Sequence, residues 1–374
     1  MQTESIETVV IGGGQAGLSV GYHLRQQRCP FVILDAGERI GDAWRNRWDS
    51  LLLFTPAHLC GLDGMRFPGP AGVFPTKDQM ADFLESYASR FELPVRNGVR
   101  VTRLARAGQR FVVEAGDARF EANNVVVAMS SNQVSWVPPL AAGLGAGITQ
   151  LTAKDYRNPA QLQQGGVLVV GVGNSGADIA LEVAKTHPTW LAGKESGHIP
   201  FRTESLVARH VLVRIVRFLQ HNLLSVKTPV GRKLRPKMMS TAVPLVRVKP
   251  KDLVKAGVTR VARVSGVDQG LPVTEEGQLM DVRNVVWCTG FRPGFSWIDL
   301  PVLGDRQEPQ HRAGIVAQEP GLYFVGLHFL YSLTSEQVNG VGRDARRIVR
   351  QIVGRQAQPA GTRQKVPAGA ALVP

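Results

Sequence analysis

Short apolar runs that end in glycine alternate along this chain with segments of helical spacing. The runs at residues 8–11 and 167–170 have the composition of buried parallel strands, and each leads through a glycine-rich turn into a helical pattern. A second strand follows each helix, at residues 31–35 and 189–192. This alternation predicts an α/β fold in which both units have parallel sheets.

The remaining pattern extends this framework. Helical spacing predicts helices over residues 16–25, 77–91 and 337–352, and apolar runs predict strands over 99–103, 110–115, 125–129 and 284–288. Residues 38–76 have the composition of ordered loop, and the proline pair at 138–139 marks a linker into a second domain. The Pro-, Gly-, Ala- and Gln-rich stretch 355–374 predicts a disordered tail.

The two glycine-rich turns have the strand–turn–helix context of a phosphate-binding motif. Such glycines permit a tight turn and let the backbone approach a pyrophosphate at the positive end of the helix. The first turn supplies Gly12, Gly14, Gln15, Ala16 and Gly17; the second supplies Gly171, Gly173, Asn174, Ser175 and Gly176. Two such motifs predict a chain that binds two dinucleotides.

The residues after the second strands indicate which dinucleotides these are. Asp35 offers a carboxylate for a ribose diol, as FAD or NAD requires. Lys194 stands at the same offset from Gly171 as Asp35 from Gly12, and a cation there favours a ribose 2′-phosphate. We therefore predict FAD at the first site and NADPH at the second, with Arg202 as a helper. The alternatives are that Asp35 caps a loop and that Lys194 is a solvated lysine beside Glu195.

Length and composition fit a two-domain enzyme. The chain has 374 residues, 44% of them hydrophobic and 40 of them glycine, as expected for a glycine-punctuated α/β protein. The N-terminus lacks the pattern of a signal peptide, and no apolar stretch reaches the roughly 18 residues of a membrane span. We therefore expect a cytoplasmic location.

The cysteines and histidines restrict the chemistry. Cys29, Cys60 and Cys288 form no Cys-x-x-Cys pair, which excludes a dithiol reductase by this reasoning. The eight histidines are scattered without the spacing of metal ligands, so no metal site is expected.

Positive charge is concentrated in residues 194–263, which hold 16 basic and three acidic residues, a net +13 of the chain's +14. Within this region His210, Arg214, Arg217 and His221 recur at helical spacing and share one face. The simplest interpretation is a helix that packs its apolar face on the core and exposes its cationic face. A lid over an active site and a peripheral contact with an acidic membrane or another anionic partner are the alternatives. We expect no nucleic-acid partner, because no recognised binding motif accompanies the charge. The sequence leaves open whether the chain forms a homodimer.

Taken together, these features resemble the class B flavin-containing monooxygenases, in particular bacterial members and the plant YUCCA enzymes. The resemblance covers roughly residues 6–354. Besides the glycine motifs, it rests on the sequences at 41–49, 53–56, 156–159, 289–293 and 321–326.

The resemblance implies two Rossmann-like domains, with the NADPH domain inserted into the FAD domain. The expected boundaries are 1–135 and 285–354 for the two FAD segments and 136–284 for the NADPH domain, which contains a basic helical insertion at 203–250. It also implies that NADPH reduces FAD, that O₂ adds to the flavin C4a, and that the hydroperoxide oxygenates a small molecule. Trp44 and Gly326 then border the flavin, although Trp44 is equally compatible with an ordinary core position.

The chain departs from the family at its identifying motif. Thr152 occupies the position of the motif's histidine, and Tyr156 preserves the terminal aromatic. Thr152 and Tyr156 are candidates for a positioning role. No catalytic acid or base is assigned, because the flavin itself carries such chemistry. Met129-Ser130 and Leu327 are further departures, the last where related reductases have aspartate.

Three hypotheses follow from these observations. The first is an FAD- and NADPH-dependent monooxygenase that acts on an N-, S- or carbonyl-centred substrate. The second, motivated by Thr152, is an NADPH-dependent oxidase or reductase that releases H₂O₂. The third is a non-catalytic flavoprotein redox sensor that docks through the basic region.

Overall fold

A computed structural model of the protein describes residues 2–194, 197–201, 205, 208–240, 243–305 and 307–357. The strands are β1 Gln2–Ile11, β2 Phe31–Leu34, β3 Val95–Arg96, β4 Arg103–Ala107, β5 Arg110–Ala115, β6 Ala118–Val127, β7 Val134–Ser135, β8 Thr149–Thr152, β9 Val167–Val170, β10 Thr189–Ala192, β11 Thr259–Val261, β12 Val264–Asp268, β13 Leu271–Thr274, β14 Asn284–Trp287, β15 Phe291–Arg292 and β16 Leu322–Phe324. The α-helices are α1 Gln15–Gln26, α2 Asp42–Arg45, α3 Lys77–Arg90, α4 Asn174–Val183, α5 Val213–Phe218, α6 Pro229–Ser240, α7 Pro250–Lys255 and α8 Val338–Gln356.

The first sheet has the order β3-β2-β1-β6-β5-β4, with β16 also paired to β6. Strands β3, β2, β1, β6 and β16 run parallel, whereas β4, β5 and β6 form an antiparallel meander. Side chains of β1 alternate between two cores: Val10 joins the cluster that contains residues of α1, α3 and α8, and Val9 joins the opposite one. Both faces are therefore covered, as a predominantly parallel sheet requires.

The second sheet has the order β11-β10-β9-β14-β8, and every pair is parallel. Val167 and Val169 on β9 share a buried cluster with Ile179 of α4, and Leu168 faces a separate cluster with Trp287. Two Rossmann-like parallel units are thus present, which confirms the predicted fold class.

The chain crosses between the sheets twice, and the two crossings pair with each other. Strand β7 leads from the first sheet to the second, β15 leads back, and the two form an antiparallel ribbon. The backbone N–H of Trp136 extends this ribbon by donating to the Gly290 carbonyl at 2.9 Å. The second unit is therefore inserted within the first.

Some details differ from the pattern-based expectations. Strand β14 belongs to the second sheet, so we propose that the inserted domain ends near residue 288 and not at 284. The strand expected at 99–103 begins only at Arg103, where pairing with β5 starts. Helix α8 extends to Gln356, so the expected tail begins in helix, and its remainder lies outside the described residues.

The basic insertion is largely helical where it is described. Two short π-helical stretches, Ala208–Leu212 and Leu219–Leu223, flank α5, and the three together form what we call the 208–223 helix. A turn then leads into α6. No helix within the described ranges is long and apolar enough to cross a bilayer.

Candidate dinucleotide-binding sites

The first glycine turn has three distinct roles for its three glycines. Gly12 adopts φ +107°, a backbone conformation that favours glycine, and its N–H donates to the Leu34 carbonyl at 2.8 Å. Gly14 is the N-cap of α1. A Cβ on Gly17 would lie 1.8 Å from the Gly12 carbonyl oxygen, so only glycine permits this contact between helix and turn.

The second glycine turn repeats this geometry. Gly171 adopts φ +115° and its N–H donates to the Ala192 carbonyl at 2.8 Å. Gly173 is the N-cap of α4, and a Cβ on Gly176 would again lie 1.8 Å from the carbonyl oxygen of the first glycine. The two turns are therefore structurally equivalent.

Each turn leaves space in front of its helix. An ideal Cβ on Gly14 or Gly173 would meet no atom within 4 Å, and neither helix has an acidic residue in its first turn. The first-turn N–H groups of a helix bind anions, because they lack intrahelical partners and carry the positive end of the dipole. Both cradles therefore fit a pyrophosphate.

Asp35 is held in place at the first cradle. Its two carboxylate oxygens accept backbone N–H groups, Oδ2 from Gly13 at 2.5 Å and Oδ1 from Gly37 at 2.8 Å. A Cβ on Gly13 would lie 2.9 Å from the Asp35 Cβ, so the turn and the carboxylate are tightly packed. Each oxygen retains acceptor capacity, and the fixed carboxylate suits a ribose diol.

The second cradle differs at the equivalent position. Val170 pairs with Ala192 as Ile11 pairs with Leu34, so the residue equivalent to Asp35 is Gly193, and Lys194 follows one position later. Gly193 presents no carboxylate, and its carbonyl accepts a hydrogen bond from Arg260 at 2.8 Å. Lys194 lies just beyond the end of β10 and is exposed. The cationic side chains of Lys194 and Arg260 therefore lie near Gly193, at the position where the first cradle has a carboxylate. The sequence alone did not indicate Arg260.

Other predicted contacts of the second site are less direct. The Asn174 amide donates to the Pro244 carbonyl at 3.1 Å, and its oxygen accepts the Val246 N–H at 2.9 Å. This side chain thus holds the 244–246 segment against the turn and does not face an open space as a spare donor. Ser175 is half-buried on the first turn of α4, and Arg202 lies outside the described residues.

The segment after β16 lies against the first cradle. Gly326 adopts φ +83°, and its Cβ would lie 2.8 Å from the Cβ of Ala16. The Gln15 amide donates to the Glu336 carbonyl at 3.4 Å, which joins the start of α1 to the approach to α8. The carboxylate of Glu336 pairs with His328 at 2.7 Å and raises the pKa of that imidazole.

The 41–49 segment, which includes α2, carries both tryptophans of its motif inward. Trp44 is half-buried against the main core, and Trp48 is 3% exposed. The indole Nε1 of Trp48 is buried and has no hydrogen-bond partner among the described residues. Buried donors are normally paired, so an unpaired one in this loop fits a bound group beside it. The sequence reasoning singled out Trp44 and missed Trp48, although both lie in the same motif.

Two motifs that are distant in sequence meet at the domain boundary. The N–H of Asp49 donates to the Arg157 carbonyl at 2.8 Å, and the Asn158 amide donates to the Asp49 carboxylate at 2.7 Å. Tyr156 is fully buried beside them, and its hydroxyl donates to Glu182 of α4 at 2.9 Å. Burial raises the pKa of this phenol, so Tyr156 is suited to positioning and not to proton transfer.

Thr152 ends β8 at the carboxyl edge of the second sheet, beside Trp287. Its hydroxyl donates to the Asp155 carboxylate at 2.6 Å and accepts the Lys154 N–H at 3.2 Å. The side chain is therefore occupied within its own turn.

A cavity of about 740 Å³ lies beside this framework, between the 58–66 loop, the 208–223 helix and the first turns of α8. Four of its lining residues are arginines and one is an aspartate: Arg66, Arg217, Arg343, Arg346 and Asp63. Asp63 is paired with Arg346 at 3.0 Å and with His23 at 2.8 Å, so its charge is already compensated. The cavity is strongly cationic.

The cysteines are not arranged for redox chemistry. All three are free; burial raises the pKa of the Cys60 thiol to about 11 and that of Cys288 to about 12. Thiols of this kind ionise too weakly near neutral pH to pass electrons as a dithiol pair.

Residues 9–197 match the family of pyridine nucleotide-disulphide oxidoreductases, and the chain belongs to this family. Its relatives include an uncharacterized oxidoreductase, CzcO-like, of Geobacillus kaustophilus, 36% identical over 93% of this chain and 98% of that protein. A probable indole-3-pyruvate monooxygenase of Arabidopsis thaliana, YUCCA7, is 28% identical over 92% and 86%. A flavin-containing monooxygenase from Stenotrophomonas maltophilia has a similar structure, with a TM-score of 0.75, 28% identity, and coverage of 95% and 100%.

These likenesses confirm the predicted class. The chain is an oxidoreductase of the flavin-containing monooxygenase type, whose cofactors are a flavin and a pyridine nucleotide. The assignment of individual residues to each cofactor remains a prediction, which the geometry above makes specific.

Proposed function

We propose that this protein is an NADPH-dependent flavin monooxygenase that works through a C4a-(hydro)peroxyflavin and transfers one oxygen atom of O₂ to a small organic molecule. One observation carries the proposal: a single chain builds two equivalent glycine turns, one with a fixed carboxylate beside it and one with a glycine at that position and two cations nearby. The likeness to the Stenotrophomonas flavin-containing monooxygenase supports the same conclusion.

The protein's own part is to bind, orient and exclude water. Gly14 and the first turn of α1 hold the FAD pyrophosphate, Asp35 holds its ribose, and Gly173 and the first turn of α4 hold that of NADPH. Lys194 and Arg260 favour the 2′-phosphate by charge. FAD supplies the redox chemistry when bound, so no side chain is asked to act as a catalytic acid or base.

The cationic cavity is our candidate for the substrate pocket. Its volume lies in the usual range for small-molecule sites. The cavity is also connected to the first cradle: Val338 lines the cavity, and the nearby Glu336 carbonyl accepts a hydrogen bond from the Gln15 side chain at the start of α1. Arg346 pairs with Asp63, and the three other lining arginines favour a substrate with a carboxylate. A carbonyl-centred acid satisfies this preference, and indole-3-pyruvate, for which the Arabidopsis relative is named, is a compound of that kind.

The second candidate is an oxidase that releases H₂O₂. Thr152 favours it, because its hydroxyl is engaged by Asp155 and Lys154 and so gives little support to NADP⁺ across the domains. A reactive intermediate that is poorly shielded from water and protons decays to peroxide.

Stopped-flow spectroscopy tests the proposal. The FAD-loaded protein is reduced with NADPH under anaerobic conditions and then mixed with O₂. A near-UV absorbing adduct before flavin reoxidation supports the monooxygenase, whereas direct return of oxidised flavin with stoichiometric H₂O₂ supports the oxidase. Failure of NADPH to reduce the flavin would overturn both in favour of a redox sensor.

A further inference from the structure

The 208–223 helix is oriented opposite to the simplest expectation from its sequence. Two residues of its cationic side face the protein: Arg217 donates to the Asn339 carbonyl at 2.7 Å, and His221 Nδ1 is hydrogen-bonded to Thr334 Oγ1 at 2.8 Å. Arg214 on the same side is exposed, and the side chain of His210 lies outside the described residues. Burial, with Arg343 and Arg217 nearby, lowers the pKa of His221 to about 4, so this imidazole stays neutral at physiological pH. The prediction of a solvated cationic face is therefore wrong for Arg217 and His221.

The side of the helix that faces solvent is apolar. Five large side chains at helical spacing are exposed by 49, 51, 64, 42 and 43%: Val211, Ile215, Phe218, Leu219 and Leu223. The next helix, α6, also exposes Val230, Leu234 and Met239. We call the five residues of the 208–223 helix the apolar surface. Large apolar side chains grouped on the exposed side of one helix mark a site of interaction with a protein or a membrane.

The exposed charged residues of the segment that carries the apolar surface are basic. Five of them lie on the 208–223 helix, the following turn and α6: Arg214, Lys227, Arg232, Lys233 and Lys237. The sequence has no acidic residue between Glu204 and Asp252, so no carboxylate from this segment offsets them. Apolar side chains flanked by lysine and arginine are the pattern of a helix that lies in the interface of an anionic bilayer.

We propose that this surface docks the protein peripherally on an anionic lipid bilayer, with the 208–223 helix lying in the headgroup region. A second copy of the chain fits less well, because a two-fold symmetric contact would bring each basic segment against itself. A lid that opens fits less well too, because Arg217 and His221 already fasten the helix to the segment before α8 and to α8 itself. This inference is independent of the proposed oxygenase activity.

Vesicle binding measures the proposed contact directly. The full-length, FAD-loaded protein is mixed with vesicles of phosphatidylcholine containing about one third phosphatidylglycerol, or with pure phosphatidylcholine, and the bound fraction is measured by sedimentation. We expect binding to the anionic vesicles that weakens with salt, and at least tenfold weaker binding to the neutral ones. Wild-type protein that does not bind the anionic vesicles overturns the proposal without any variant.

Variants then locate the contact. Ile215→Gln together with Phe218→Gln keeps helix-forming residues, and we expect at least tenfold weaker binding with unchanged flavin content and NADPH oxidation. Lys233→Gln should weaken binding roughly fivefold, as expected for the loss of one cation near an anionic surface. Val254→Gln is the matched control, because Val254 on α7 is 70% exposed outside the apolar surface, and it should bind as the wild type does.

Two results would overturn the assignment. Unchanged vesicle binding in the Ile215/Phe218 double variant would mean that another surface meets the lipid. If the wild type is a dimer by light scattering and the double variant a monomer, while neither binds vesicles, the apolar surface is a protein interface. Because NADPH oxidation is followed in parallel, a failure of the proposed function is recognised separately.

Discussion

The substitution Gly14→Val separates ligand binding from folding more cleanly than any other change in the first cradle. Gly14 has φ −77° and ψ −171°, a conformation open to any L-residue, and an ideal Cβ there meets no atom within 4 Å. The added side chain therefore projects into the space in front of α1 that we assign to the FAD pyrophosphate.

The expected magnitudes follow from this geometry. Folding stability should change by no more than about 1 kcal/mol, because no protein atom is displaced and a flexible glycine is replaced. The affinity for FAD should fall by more, because losing one charge-assisted hydrogen bond from a helix N–H to phosphate costs about 1.5–3 kcal/mol, or roughly tenfold to a hundredfold in affinity.

The assay measures FAD retained after desalting, FAD affinity by fluorescence quenching, and thermal stability of the apoprotein. Gly173→Val is the matched control, because Gly173 occupies the same place in the second cradle with the same open space. It should leave FAD content intact and raise the NADPH concentration needed for half-maximal flavin reduction. Gly17→Ala is the contrasting variant, since its Cβ would lie 1.8 Å from a carbonyl oxygen and should impair folding itself.

Undiminished flavin content in a folded Gly14→Val protein would refute the assignment of this cradle to FAD. Loss of flavin by Gly173→Val with retention by Gly14→Val would show that the two sites are exchanged.

The other predictions concern single residues. Lys194→Ala should lower the NADPH-to-NADH preference in flavin reduction roughly tenfold; an unchanged ratio would point to Arg260, which Arg260→Ala then tests. Thr152→His should raise product formed per NADPH consumed and lower H₂O₂ yield, and equal yields with substrate present would make position 152 a neutral spacer. Burial, with Arg235 and Arg347 nearby, lowers the pKa of His311 from 6.5 to about 4. Its stabilising effect is therefore complete above about pH 6.5 and is lost as the pH falls toward 4, by up to about 3 kcal/mol. His311→Gln should flatten this decline in chemical denaturation, and an identical pH profile would contradict the argument.

Local sequence was sufficient to predict both cradles. The strand, the tight turn and the helix are consecutive in the chain. The contact that requires glycine at position 17 is with the carbonyl of Gly12, which belongs to the same short motif. The place of Asp35 follows as well, because it directly ends the strand that pairs with β1. The inserted arrangement followed from the family resemblance and the linker, and the paired crossings at β7 and β15 agree with it.

Contacts between distant segments decided what the sequence left open. Counting residues placed Lys194 opposite Asp35, but the strand register places Gly193 there, because the second crossover is one residue shorter. The glycine motif placed Asn174 at the pyrophosphate turn, but tertiary packing brings the 244–246 segment to this turn, and both the amide N–H and the oxygen of Asn174 are hydrogen-bonded to it.

The 208–223 helix shows the limit most clearly. Its periodicity revealed two faces, one apolar and one cationic, but periodicity gives no information about which face meets the protein. That choice depends on hydrogen-bonding partners supplied elsewhere in the chain: the Asn339 carbonyl accepts from Arg217, and the Thr334 hydroxyl is hydrogen-bonded to His221. Because buried polar groups need partners, these two groups let Arg217 and His221 face the protein and leave Phe218 and its apolar neighbours exposed.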